Sequence, residues 1–192
     1  MIDSVADFSL GDTITGTNDN GVLINSALEG REYTFPVTEA VATAAGMSNR
    51  AVGRRVVARI VRNTSGSALV AGEIVAVNIA GGHAKLGQLI EARTAGTGDR
   101  CCLVCDPSLG ASTVADDDLF YAIVAGPTKI KQPASPVTLA SGDQLMSGAG
   151  GRLDVVDPSV NGEIIKSLGT VVQAASTTGD ELVEVELAPE WV

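Results

Sequence analysis

The stretch that decides the fold runs from Thr138 to Leu187 and closes on Gly179-Asp-Glu-Leu-Val-Glu-Val-Glu-Leu187. In this closing run, apolar residues alternate with Glu184 and Glu186. A period of two places the apolar side chains on one face of a β-strand and the carboxylates on the other, where we expect them to face water. The preceding Gly-Asp pair indicates a turn, because glycine adopts positive φ at little cost and aspartate hydrogen-bonds to its own backbone. The apolar residues of the run are Val183, Val185 and Leu187.

The same pairing of glycine with an acid recurs before other short apolar runs. It occurs at Gly11-Asp12, Gly72-Glu73, Gly98-Asp99, Gly142-Asp143, Gly162-Glu163 and Gly179-Asp180. The spacings are irregular, so the turn is reused without the fixed period of a solenoid. Short strands separated by glycine-rich turns predict a mainly β fold, an antiparallel β-barrel or sandwich.

The chain divides into two parts of different character. Residues 1–53 predict an irregular N-terminal arm with a short helix at 38–45, capped by Thr38 and ended by Gly46. We expect the arm, including the apolar piece 22–24, to find its burial against a neighbour or against its own domain. Residues 54–192 predict a β domain with a proline-containing link at 132–137.

Two strands can be placed in detail. Residues 55–62 put Val56, Ala58 and Ile60 on one face and alternate arginine with valine on the other, which is either a solvated face or an interface. Residues 119–125 are continuously apolar and predict a central strand covered on both faces. Gly126-Pro127 predicts a turn directly after that strand.

Charge is distributed unevenly. Residues 1–39 carry seven acids and one base, residues 40–72 carry five arginines and no acid, and residues 73–192 carry sixteen acids and seven bases. Nucleic-acid binding needs a positive field and stacking surfaces, and a chain with net charge -10 and 3% aromatic residues supplies neither.

We expect neither a membrane span nor a secretory signal, and the odd number of crowded cysteines predicts a reducing compartment of synthesis.

The residues that could carry chemistry do not form a known site. Cys101 and Cys105 would lie about 13 Å apart on a strand, which is too far for one metal ion to bind both. We therefore expect the cysteines to act as small buried hydrophobic residues. Residues 116–118 lack the further oxygens of a calcium loop, and residues 148–151 predict a hairpin turn rather than a phosphate loop. His83 is the only histidine, so hydrolysis lacks its usual base. The sequence predicts no catalytic residue, no metal and no cofactor.

Three segments resemble tailed-bacteriophage head decoration (capsid cement) proteins. They are Arg59-Ile-Val-Arg-Asn-Thr-Ser-Gly-Ser-Ala-Leu-Val-Ala-Gly-Glu-Ile-Val75, Asp117-Asp-Leu-Phe-Tyr-Ala-Ile-Val-Ala-Gly-Pro127, and the turns and strands from Ser141-Gly-Asp143 through Gly-Gly-Arg-Leu-Asp154 and Leu-Gly-Thr-Val-Val172 to Leu187. The similarity covers roughly residues 55–187. It implies a noncatalytic β protein, made in the host cytoplasm, that binds the major capsid protein on the capsid exterior of the virion, often as a homotrimer.

Two other classes stay open: another phage structural component, such as a head-fibre or tail base, and a small-ligand or carbohydrate-binding β module. The basic segment predicts where a partner binds, because arginine pairs bidentately with carboxylates and its stem packs on apolar surface. The alternative is that these arginines pair inside the molecule with Glu184 and Glu186. The predicted interface consists of Arg50, Arg54, Arg55, Arg59, Arg62, Tyr33 and Phe35.

Overall fold

The computed structural model of the chain describes residues 8–77, 91–97, 99, 102–132, 137–157, 159, 168–172, 175–177 and 182–188. Its strands are β1 (Thr13–Ile14), β2 (Glu32–Pro36), β3 (Arg55–Asn63), β4 (Leu69–Val70), β5 (Ile74–Val77), β6 (Glu91–Thr94), β7 (Cys102–Cys105), β8 (Thr113–Val114), β9 (Leu119–Lys131), β10 (Val137–Leu139), β11 (Gln144–Ser147), β12 (Leu153–Val155), β13 (Gly169–Val171), β14 (Ala175–Thr177) and β15 (Leu182–Leu187). The described residues hold one α-helix, α1 (Glu39–Ala44). No helix among them is long and apolar enough to span a membrane.

Most strands join one eleven-stranded, sandwich-like sheet in the order β12-β11-β13-β15-β9-β7-β5-β6-β3-β2, with β1 added to β9. The predicted mainly β fold is confirmed. The sheet is mixed rather than purely antiparallel, because β3 and β6 run parallel. β3 also pairs with β9, so the pairings among β3, β9, β7, β5 and β6 form a closed circuit within the larger sheet.

β9 is the central strand, and both of its faces are buried. Leu119, Tyr121 and Ile123 pack into one hydrophobic cluster with the Val56, Ala58 and Ile60 face of β3. The intervening residues of β9 pack into a second cluster on the opposite face; they are Phe120, Ala122 and Val124. The prediction of a doubly covered strand is therefore confirmed, since continuous apolar sequence fits a strand that has no solvent face.

The predicted turn at Gly126-Pro127 is wrong, because β9 continues through both residues to Lys131. At this point the strand changes partner. Ala125 is paired with Val57 of β3, whereas Gly126 and the residues after it are paired with β15. Gly126 adopts φ +99°, and a Cβ there would lie 2.4 Å from the carbonyl oxygen of Arg55. The glycine therefore permits a bend within a strand where the sequence pattern suggested an end.

The acid that follows the turn glycine accepts a hydrogen bond from the N–H three residues earlier, as the turn prediction requires. The four described bonds run from Ser9 to Asp12 at 2.8 Å, Val70 to Glu73 at 3.2 Å, Gly96 to Asp99 at 2.7 Å and Ala140 to Asp143 at 2.8 Å. The turns at Gly162 and Gly179 lie outside the described residues. The same hydrogen-bonded turn thus closes several of the connections between strands.

The N-terminal segment packs against its own domain. β1 pairs with β9, β2 pairs with β3, and Phe8 and Ile14 are buried in the larger cluster. The Thr38 hydroxyl caps α1 by accepting from the N–H of Val41, as predicted. Residues 8–53 are consequently joined to the described domain and contribute some residues to its core. Residues 133–136 of the predicted link lie outside the described chain.

We predict that Gly126→Ala destabilises the protein by about 3 kcal/mol or more, because it combines a strained φ with a collision against backbone. Urea unfolding followed by circular dichroism measures the change. Gly142→Ala is the matched control: its φ is +94°, but nothing lies within 4 Å of the added Cβ. The control should cost only about 1–2 kcal/mol. Equal losses in the two variants would contradict the proposed role of Gly126 at the change of partner.

Candidate partner interface

The seven predicted interface residues lie on β2, on β3 and on the turn that precedes β3. β2 and β3 are adjacent, with Glu32 opposite Arg59 and Pro36 opposite Arg55. The structure therefore gathers these residues at the β2 edge of the sheet. These residues nevertheless differ in burial, since their side chains range from exposed to fully buried.

Two of the arginines pair inside the molecule at the surface. Arg54 binds Glu186 bidentately, with Nη1–Oε2 2.6 Å and Nη2–Oε1 2.7 Å. Arg59 Nη2 lies 2.8 Å from Oε2 of Glu32. The internal-pairing alternative thus describes Arg54, whose side chain nevertheless remains 48% exposed. Surface pairs of this kind contribute about 0–1 kcal/mol each.

The expectation that the carboxylates of β15 face water is wrong. Glu184 is 9% exposed, and its carboxylate accepts hydrogen bonds of 2.9 Å from the N–H and the hydroxyl of Ser48. Together with the Arg54–Glu186 pair, this contact ties the turn before β3 to β15. The alternation of apolar and acidic residues is correct, but residues 48–54 cover the acidic face.

Arg62 is buried, so its predicted role as a partner contact is wrong. Its side chain is 2% exposed and lies beside Glu29, whose side chain is 11% exposed. All the N–H donors of a guanidinium find acceptors here. Nε donates to Glu29 at 2.7 Å, Nη1 to the carbonyls of Gly16 at 3.0 Å and Asp117 at 2.6 Å, and Nη2 to the carbonyl of Ile24 at 2.9 Å and to Ser26 Oγ at 3.4 Å. Arg62 therefore holds residues 16–29, which have little regular structure, against β3.

Tyr33 and Phe35 are half-buried and belong to an aromatic cluster. Phe8 stacks on Tyr121 with ring centroids 4.3 Å apart. Tyr33 and Phe35 both meet Tyr121 edge-on, at 5.9 and 5.0 Å. Such edge-to-face pairs add about 0.5–1.5 kcal/mol beyond burial. Both predicted residues thus stabilise the N-terminal segment, and only their outer parts reach the surface.

Arg50 and Arg55 remain as exposed arginines that make no ion pair within the described part of the chain. Val52 lies between them and is 38% exposed. We call Arg50, Val52 and Arg55 the basic corner. Its turn is held in place from both sides by the contacts of Ser48 and Arg54 with β15. This arrangement presents two cations and an aliphatic side chain on a fixed backbone.

Cys101 and His83 lie outside the described residues, and the other candidates for chemistry are buried or bind backbone N–H groups. Cys102 and Cys105 are buried, and burial raises the pKa of the Cys105 thiol well above its ordinary value. Asp106, whose pKa burial also raises, accepts from the N–H groups of Gly11 at 2.6 Å and Ser108 at 2.8 Å. Asp116 and Asp118 accept from backbone N–H groups of Gly66 and Gly16. Within the described residues, no three acidic, cysteine or histidine side chains are grouped to hold a metal.

Two aliphatic residues of the arm are exposed on the surface of the chain. Val22 is 57% exposed and Leu23 47% exposed, so these two residues are not buried against their own domain, and their burial against a neighbour stays a prediction. Hydrophobicity alone cannot distinguish the two outcomes for so short a run. The position of the neighbouring backbone decides between burial and exposure, because Arg62 binds the carbonyl of Ile24 and the two preceding side chains remain at the surface.

No protein-family model and no curated protein matches this chain. Among solved structures, the chain is similar to the head fiber gp8.5 N base of bacteriophage phi29, with 18% sequence identity and a TM-score of 0.46. The similarity covers 70% of this chain and 95% of that chain. At this identity and TM-score it assigns neither a family nor a function.

We predict that Arg62→Met lowers the free energy of unfolding by about 3–5 kcal/mol, because it leaves Glu29 buried without a partner and removes the donors to three carbonyls. Urea unfolding measures the loss, and hydrogen exchange should become faster across residues 16–29. Arg59→Met is the matched control on the same strand, where the exposed pair should cost about 0–1 kcal/mol. The assignment fails if both variants lose equally little stability and exchange at residues 16–29 is unchanged.

Proposed function

We propose that this protein is a noncatalytic virion structural protein that binds the outside of a phage capsid and stabilises it. The observation that carries the proposal is the basic corner, a fixed positive site on a chain of net charge -10. A partner surface rich in carboxylates would attract this corner and repel most of the rest of the chain. The sequence resemblance to head decoration proteins supports the same role, and the major capsid protein is the partner that it implies.

The absence of catalysis is part of this proposal. The shallow depression beside α1 contains one titratable side chain, Lys129, and mainly small apolar residues. A lone cation in such a lining offers no acid–base pair and no activated nucleophile. This composition supports a binding role rather than a reaction.

The aromatic residues weigh against the carbohydrate-binding alternative. Such modules bind sugars by stacking them on exposed rings, whereas Phe8, Phe120 and Tyr121 are buried here. Tyr33 and Phe35 are half-buried against Tyr121. Trp191 lies outside the described residues. The described chain thus uses its aromatic surface for its own stability.

Binding through the basic corner can be tested without removing the arm, whose residues Phe8 and Ile14 belong to the core. We expect Arg50→Gln/Arg55→Gln to bind roughly two- to tenfold more weakly per copy, because each exposed charge contributes about 0–1 kcal/mol. The measurement is co-sedimentation with capsids of the encoding phage, purified without this protein, at low and high salt. The difference from the parent should shrink at high salt because exposed charges are screened.

Arg93→Gln/Arg152→Gln is the matched control, because it changes net charge equally at two arginines outside the basic corner, Arg93 on β6 and Arg152 just before β12. This control should bind capsids as the parent does. The proposed site is wrong if both double variants bind equally well, and the capsid role is wrong if the parent does not bind capsids. Recovery of the parent with isolated tails or fibres alone would instead favour the head-fibre or tail-base role.

A further inference from the structure

A small hairpin in the arm presents apolar side chains to solvent. Its residues 17–23, which we call the hairpin tip, are joined by a bridge between Thr17 and Leu23. Asn18 closes the loop, since its Oδ1 accepts from the N–H of Asn20 at 3.0 Å and from that of Val22 at 2.9 Å. The described chain exposes three large hydrophobic side chains, and Val22 and Leu23 at this tip are the most exposed of them.

The base of the hairpin tip is fixed to the domain. Arg62 binds the carbonyls of Gly16 and Ile24, the residues on either side of the tip. The N–H of Gly16 donates to Asp118 Oδ1 at 2.9 Å. A tip anchored on both sides loses little conformational entropy when it binds, and rigid presentation of this kind favours affinity.

A complementary surface exists elsewhere on the same chain. The shallow depression beside α1 is lined by Ala44, Ala45, Ala71, Pro107, Leu182 and Lys129. About half of this lining is apolar, and that part suits aliphatic side chains. Lys129 lies opposite Glu184 in the ladder of β9 and β15 but makes no ion pair among the described residues. The hairpin tip carries one acid, the exposed Asp19. The tip and the depression therefore match in apolar character and in charge.

The two surfaces cannot meet within one molecule. The base of the tip lies at Arg62, which pairs with Leu119 at the first residue of β9. Lys129 lies close to the other end of the same strand, after the bend at Gly126. Because Arg62 fixes the base of the tip, contact between tip and depression requires two copies of the chain.

We propose that the hairpin tip of one copy docks into the depression beside α1 of a second copy, with Val22 and Leu23 against its apolar lining and Asp19 beside Lys129. Each copy offers a tip and a depression on different surfaces, so the contact is heterologous and closes into a ring when the rotation permits. The inference rests on the proposed function in that it supplies the contact for the expected homotrimer.

Two variants that each remove one half of the contact give a sharp test. Leu23→Asp places a charge on the tip, and Ala44→Trp fills the depression at an exposed helix position. Sedimentation equilibrium without capsids should show each variant associating at least about tenfold more weakly than the parent. An equimolar mixture should form a dimer that does not grow, because one intact tip meets one intact depression.

Ala140→Asp is the matched control, since it adds the same charge at an exposed residue outside the hairpin tip, the depression and the basic corner, and it should leave self-association unchanged. The inference is overturned if the parent is monomeric at high micromolar concentration, if Leu23→Asp associates as the parent does, or if the mixture forms no dimer. A monomeric parent whose capsid binding is lost in Leu23→Asp would mean that the tip docks on the capsid, which also overturns it.

Charge reversal gives a second test that leaves the apolar core of the contact intact. Asp19→Lys and Lys129→Glu should each weaken association, because each places like charges together, and the double variant should recover it. Absence of recovery, with all variants folded by circular dichroism, would overturn the pairing of these residues. These measurements use the free chain, so capsid binding by the parent reports separately on the proposed function.

Discussion

A single buried cation organises the N-terminal third of the described chain. Removing a guanidinium from water is costly, and the cost is recovered only when every donor is used and the charge is paired. Arg62 meets both conditions by drawing Glu29 and the carbonyls of Gly16, Ile24 and Asp117 around it. Gly16 is part of this requirement, because a Cβ there would collide with the Asp117 carbonyl. Residues with little regular structure thus acquire a defined path from one side chain.

β9 supplies the second constraint, because it takes part in both halves of the sheet. Its first half pairs with β3 and β7, and its second half pairs with β15. The change of partner needs a residue that tolerates φ +99° close to the backbone of β3, which Gly126 provides. The bend in β9 positions β15, and β15 in turn binds Ser48 and Arg54 in the turn before β3. The bend therefore determines where the basic corner lies on the surface.

Ion pairs within the molecule determine how much of the positive charge of residues 40–72 is available to a partner. Of the five clustered arginines, Arg62 is buried, and Arg54 and Arg59 are paired at the surface. Arg50 and Arg55 make no ion pair among the described residues, and they give the corner its positive charge. The same structure exposes Val22 and Leu23 on an anchored hairpin. Two different surfaces are therefore available for the two contacts that we propose, one with an acidic partner and one with a second copy.

The sequence by itself determined the mainly β class, the turns in which an acid binds the N–H three residues earlier, the cap at Thr38 and the two faces of β3. These features depend on local chemistry and on periodicity, which are written in consecutive residues. Only the tertiary structure decided that Arg62 is a core residue, that Glu184 is covered by Ser48 and that β9 passes through Gly126-Pro127. Each of these depends on partners between 33 and 136 residues away in the chain, or on the backbone of a neighbouring strand, and no local pattern encodes such contacts.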